Sequence, residues 1–188
     1  MRYTVVLDAP TAAAQRVEQG SLTYINKGQY YNLALTDTVK EDCLMETVIR
    51  IMFHEKAHRR LASTYWSHWL GQQASPNTAR AIEINFDRVR VRWYGQKGAT
   101  VQLRLNCLST EFTRVKGVKG IPMRIYTETR VVYEDADGNA IAVSPGMAEA
   151  SPERAFAAVK LFRDKGAERK NKDDMRHREK LMLRMRGK

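Results

Sequence analysis

The sharpest catalytic pattern in the chain is His54-Glu55-Lys56-Ala57-His58. On a helix, histidines four apart share a face, and the glutamate between them can act as general base on a zinc-bound water. The neighbours argue against that use. Lys56, Arg59 and Arg60 crowd the segment with positive charge, a strand-like run ends at Phe53, and His68 beside Trp66 and Trp69 makes a poor third ligand. Cys43, Cys107 and the histidines lack zinc-finger spacing, which leaves only zinc held by unrelated loops. Gly117-Val118-Lys119-Gly120 is no nucleotide loop, because the Gly-Lys-Ser/Thr ending is missing. No serine or cysteine stands in a nucleophile's context. We therefore expect no catalytic residue, no metal, no cofactor and no enzymatic activity.

Two clusters of cations remain. Arg114, Lys116 and Lys119 alternate with Gly117 and Gly120 after a strand-like run. Glycines let backbone N–H groups approach a phosphate closely. The second cluster, Arg163, Lys165, Arg169, Lys170 and Lys172, opens around Gly166. A strand rich in Phe156, Val159, Leu161 and Phe162 precedes it, so we expect a rigid strand delivering a basic loop to one end of a domain. Such an arrangement suits phosphates and base edges. By charge alone, a solvated basic loop fits equally well.

The elements that must hold these clusters follow from periodicity. Met1–Leu7, the runs either side of Asn26-Lys27-Gly28, Thr47–Phe53, Ala81–Phe86, Val89–Tyr94, Met123–Tyr133 and Phe156–Phe162 read as strands. Ala99–Leu108 alternates most cleanly, with Val101, Leu103 and Leu105 on one side and Gln102, Arg104 and Asn106 on the other. His54–Gly71 reads as one or two short helices lying against a sheet, with Tyr65, Trp66 and Trp69 in packing roles. Pro10–Gly20 reads as a further short helix, Asp135–Asn139 as a turn and Ile141–Glu153 as a polar loop. Many short strands with turns between them predict a mostly β sandwich with short helices. From Asp173 a capped, basic, partly helical tail runs on through Met175, Leu181, Met182 and Met185. The expected division is residues 1–172 as the β domain and residues 173–188 as the tail.

The 188 residues fit one domain of ordinary size, and 43% hydrophobic content excludes wholesale disorder. No apolar run approaches the ~20 residues a membrane span needs, so no membrane partner is expected. Lys plus Arg number 32 against 21 Asp plus Glu, a net charge of +11, with the bases concentrated in residues 163–188. That balance favours a polyanionic partner without separating DNA from RNA or an acidic membrane. Two cysteines make no framework of bridges and point to a reducing compartment.

Four segments, in order, resemble the DNA-binding domain of the Grainyhead-like transcription factors. They are Leu22-Thr-Tyr-Ile-Asn-Lys-Gly-Gln-Tyr-Tyr31, Val48-Ile-Arg-Ile-Met-Phe53, Leu105-Asn-Cys-Leu-Ser-Thr-Glu-Phe-Thr-Arg-Val-Lys-Gly-Val-Lys-Gly-Ile-Pro122 and Lys160-Leu-Phe-Arg-Asp-Lys-Gly-Ala-Glu-Arg-Lys170. The resemblance covers most of the chain between Tyr3 and Lys172. It implies an immunoglobulin-like sandwich, a nuclear protein, and sequence-specific binding of double-stranded DNA at a palindrome centred on CCGG by two copies. The family's dimerisation region is a separate C-terminal segment, for which this chain holds no second folded domain. Carried over by position, Lys116 and Gly117 match contacts of the first basic loop, and Arg169 matches an arginine that reads guanine. Lys172 stands where the family commonly has a second arginine. Lysine keeps the charge but loses the rigid fork, which bears on discrimination. Arg114, Lys119, Lys165 and Lys170 are then expected near phosphates. The alternative partner is RNA, or polyanions in general, held by the basic tail.

Overall fold

The computed structural model describes residues 1–10, 12, 21–84, 90–112, 120–134, 140–141 and 152–186. Ten strands and three helices occur among them: β1 (Tyr3–Leu7), β2 (Leu22–Asn26), β3 (Tyr30–Asp37), β4 (Leu44–Phe53), α1 (Lys56–Arg60), α2 (Ala62–Gly71), β5 (Ile82–Ile84), β6 (Arg90–Tyr94), β7 (Ala99–Leu105), β8 (Met123–Glu134), β9 (Ala140–Ile141), β10 (Glu153–Phe162) and α3 (Gly166–Arg186). One sheet has four strands in the order β1-β3-β7-β5. The other has six, in the order β2-β10-β8-β4-β6 with β9 on β8. All pairs are antiparallel except β10 with β2.

The sandwich forms because alternate residues of both sheets point into one core. Leu33, Leu35, Val101, Leu103 and Leu105 from the smaller sheet meet Ile25, Met45, Ile49, Val91, Met123, Ile125, Val159 and Leu161 from the larger. This is the mostly β sandwich with minor helices that the turn-punctuated strands predict. Polar side chains within this core pair with each other: Thr47 and Thr129 hydroxyls lie 2.9 Å apart, and Trp93 Nε1 donates to Thr47.

One end of the sandwich is closed by the two short helices. Trp69 is buried, and Trp66, Phe53 and Phe112 make edge or tilted ring contacts around it. The aromatics of this segment are thus packing residues, as their spacing suggests. The catalytic pattern is split by the same geometry. His54 lies outside α1, whose N-cap is Glu55. Its ring packs on Phe156 at 5.8 Å, while His58 turns towards Phe53 and Tyr65. Among the described residues, no group of three or more His, Cys, Asp or Glu could hold a metal.

Two expectations from the sequence need correction. Gly166–Lys172 is no loop: it forms the first two turns of α3, which runs without a break to Arg186. No glycine or proline interrupts residues 167–186, so nothing stops the helix once it is started. The helix therefore begins seven residues before the expected cap at Asp173. The short helix read over Pro10–Gly20 lies mainly outside the described residues, as do Asp135–Asn139 and most of the loop after Ile141.

Candidate nucleic-acid interface

The site is assembled from the turn after β2, the segment after β7 and the start of α3. After Phe162, the chain reverses through Asp164, which has φ 51, and enters α3 at Gly166. A Cβ on Gly166 would sit 2.9 Å from the Phe162 Cβ, so only glycine permits this close crossing.

Asn26 starts the helix. It is 3% exposed, and its side-chain Oδ1 accepts the Ala167 backbone N–H at 2.9 Å, filling one of the donors a helix leaves open at its first turn. Its Nδ2 donates to the Glu168 carboxylate at 2.8 Å. Asn26 is in turn held by its own N–H donating to Tyr31 Oη at 2.8 Å. The hydrogen bond from Asn26 keeps Glu168 below the usual carboxylate range. Its negative charge also lies in the first turn, where the helix dipole favours it.

One side of α3 is docked. Ala167 packs among Tyr24, Leu22 and Phe162, and the Tyr24 and Phe162 rings meet edge-on at 5.3 Å. One helical repeat on, buried Asp174 accepts from Tyr24 Oη at 2.8 Å. Burial, helped by that bond, pushes the Tyr24 hydroxyl up to about 12. Lys170 pairs with Asp174 and its ammonium lies 5.8 Å from the Tyr24 ring centre.

The free side carries the cations. Lys165, just ahead of the helix, then Arg169, Lys172 and Arg176 recur at i, i+4, i+7 and i+11, so they line the face opposite Ala167 and Asp174. All four are exposed. Arg169 and Lys172, three apart, are neighbours on that face. Arg176 belongs to the stripe but was legible in the sequence only as part of the tail. Its signal was the i+4 spacing from Lys172, once the helix is extended back to Gly166. Lys170 points to the docked side, away from the stripe.

Arg114, Lys116, Gly117 and Lys119 lie outside the described residues, but both stems of their segment are described. Ser109 N–H donates to the Leu161 carbonyl at 3.2 Å, and Ser109 Oγ accepts the Leu161 N–H at 3.0 Å. Ile121 N–H donates to the Ser109 carbonyl at 2.8 Å, and a Cβ on Gly120 would fall 2.7 Å from the Ser109 Cβ. The stems are therefore pressed together beside the last turn of chain before α3. Glu111 ties them further: its carboxylate accepts from Trp69 Nε1 and from Leu108 N–H, each at 2.8 Å, and pairs with Lys27 Nζ at 2.9 Å. Lys27 N–H donates to the Phe162 carbonyl, and Gly28 N–H to that of Leu105. The roots of both basic segments thus share one hydrogen-bonded platform.

A family model described as CP2 transcription factor matches residues 1–183. Grainyhead-like protein 2 homolog of Homo sapiens is 31% identical over 195 residues, covering 93% of this chain and 29% of that protein. Grainyhead-like protein 1 homolog of Homo sapiens is 29% identical over 199 residues, covering 95% of the chain and 30% of the relative. Protein grainyhead of Drosophila melanogaster is 29% identical over 197 residues, with 94% of the chain and 14% of the relative covered. The chain spans less than a third of the length of these relatives. Since the family match takes in both sheets, the platform and nearly all of α3, the chain belongs to the CP2 transcription factor family, and it is similar to the Grainyhead-like proteins.

Proposed function

We propose that this chain is the sequence-specific, double-stranded DNA-binding domain of a nuclear Grainyhead-like transcription regulator, and that it binds without catalysis. The observation that carries the proposal is the stripe Lys165–Arg169–Lys172–Arg176 on a helix whose opposite side is locked to the sandwich. A major groove admits an α-helix, and a docked helix presents a guanidinium fork at a fixed place for guanine O6 and N7. Arg169 is the base-reading residue of this proposal, with Lys172 beside it on the same face and Lys116 and Gly117 contributing from the second basic segment. Lys165, Arg114 and Lys119 serve phosphates. Lys170 adds to the field around them from beside Asp174. The target is a CCGG-centred palindrome taken by two copies of the domain.

Selection of binding sites from random duplex DNA tests this directly. The expected outcome is enrichment of a palindrome with guanine at the position Arg169 reads. Recovery of an unenriched pool, with RNA binding as tightly as duplex, supports the general polyanion alternative instead.

A further inference from the structure

The outer face of the six-stranded sheet holds a second concentration of cations. Alternation places every second residue of β4, β6, β8 and β10 on this face, and register aligns them in rows. In one row, Arg92 and Arg130 flank Glu46. The Glu46 side chain is 6% exposed and lies 2.9 Å from Arg130, 3.6 Å from Arg90 and 3.9 Å from Arg92. Two residues along, Glu128 faces Arg154 at 3.8 Å. The next row sets exposed Arg50 opposite Tyr126, and Tyr126 opposite Phe156. The Arg124 guanidinium then lies 5.5 Å from the Tyr126 ring centre and 5.0 Å from that of Phe156. Glu46 and Glu128 are the carboxylates of these rows, so arginine is in clear excess.

Two features identify what such a face takes. Among the described residues, Arg50 has no carboxylate partner and the buried Nε of Arg124 has no hydrogen-bond partner. Phe156 is 56% exposed, with the Arg124 guanidinium 5.0 Å and the His54 ring 5.8 Å from its centre. A duplex keeps its bases stacked inside and would offer the exposed part of this ring only sugar and phosphate. A single strand brings phosphates for the arginines and an unstacked base for the ring. We infer that the outer face of the six-stranded sheet binds single-stranded nucleic acid, with Arg50, Arg130 and Arg154 on phosphates and Phe156 beneath a base. The residues are separate from the α3 stripe, so this inference stands or falls apart from duplex recognition.

The test titrates labelled oligo-dT and the palindromic duplex against the full chain and three variants. Phe156→Ala removes an exposed ring and is expected to weaken oligo-dT about five-fold or more, the lower end of a base-stacking contribution. Arg50→Ala with Arg154→Ala is expected to reduce the log–log salt slope for oligo-dT by roughly 0.7 for each phosphate no longer neutralised. Arg169→Ala should leave oligo-dT binding unchanged. Thermal melting confirms that each variant is folded. The inference is overturned if both sheet variants bind oligo-dT as the parent does, or if they weaken the duplex as much as oligo-dT. It is also overturned if oligo-dT binding is lost with Arg169→Ala. Displacement of oligo-dT by poly-glutamate with no effect of Phe156→Ala would assign the face to acidic polypeptide and overturn it too.

Discussion

At the scale of residues, the proposed reading of a site rests on Arg169 and Lys172. They share the free face of α3, one helical turn apart, but differ in what they can do to a guanine. The arginine fork meets O6 and N7 together, whereas the lysine ammonium is a point charge. Arg169→Ala is expected to cost about 1–3 kcal/mol on the palindrome and to relax preference at one guanine, with a smaller loss on unrelated duplex. Arg169→Lys should restore charge but not discrimination. Lys172→Arg should bind as tightly or tighter, with a larger ratio between palindrome and single-guanine mismatch. Titrating each variant on both duplexes at one fixed salt concentration checks all three. An unchanged ratio for Arg169→Ala would remove base reading from this helix. The sequence named both residues through resemblance. Their common face became visible only with the helix, because i and i+3 are neighbours there and not in a loop.

At the scale of elements, the strands were legible and the start of α3 was not. β7 shows why strands read well: Val101, Leu103 and Leu105 are each 0% exposed, so the period-two pattern is a direct image of burial. The N-terminus of α3 has no local signal of that kind. Its cap is Asn26, 141 residues away in sequence from Ala167, and Gly166 by itself reads as a turn. A cap supplied through space is invisible to any window along the chain. Asn26→Ala is expected to cost about 0.5–2 kcal/mol in urea unfolding and to speed amide exchange over residues 166–172, as loss of a cap does. Glu168 gives the same contact a pH signature. Its pKa is depressed in the folded state by the Asn26 hydrogen bond, so its contribution is complete above the unfolded value of about 4.3. That contribution is lost as pH falls through the lower, folded value. Glu168→Gln should therefore flatten the acid limb of a stability–pH curve below about pH 4.5 and leave the neutral region nearly parallel to the parent's. An unaltered acid limb would show that Glu168 does not couple the helix start to Asn26.

At the scale of the whole molecule, the net charge of +11 is distributed unevenly. One share lies along the free face of α3 and another on the outer face of the larger sheet, the face on which α3 itself docks through Tyr24 and Phe162. Duplex binding through α3 should then draw on the helix cations and leave the far rows of the sheet aside. Each phosphate neutralised on B-DNA contributes about 0.9 to the slope of log affinity against log salt. Lys165→Ala and Arg176→Ala are each expected to lower that slope by roughly 1 and to weaken palindromic and unrelated duplexes by similar factors. Arg130→Ala, on the distant row of the sheet, should leave the duplex slope unchanged. Measuring the slope by fluorescence anisotropy across several salt concentrations separates these cases, because removing a base-reading group changes the ratio between duplexes and removing a phosphate-binding group changes the slope. If Lys165→Ala shifts base preference with its slope intact, Lys165 lies in the groove and not on the backbone. If Arg130→Ala lowers the duplex slope as much as Arg176→Ala does, the duplex extends from α3 across the sheet, and the two charged surfaces form one footprint.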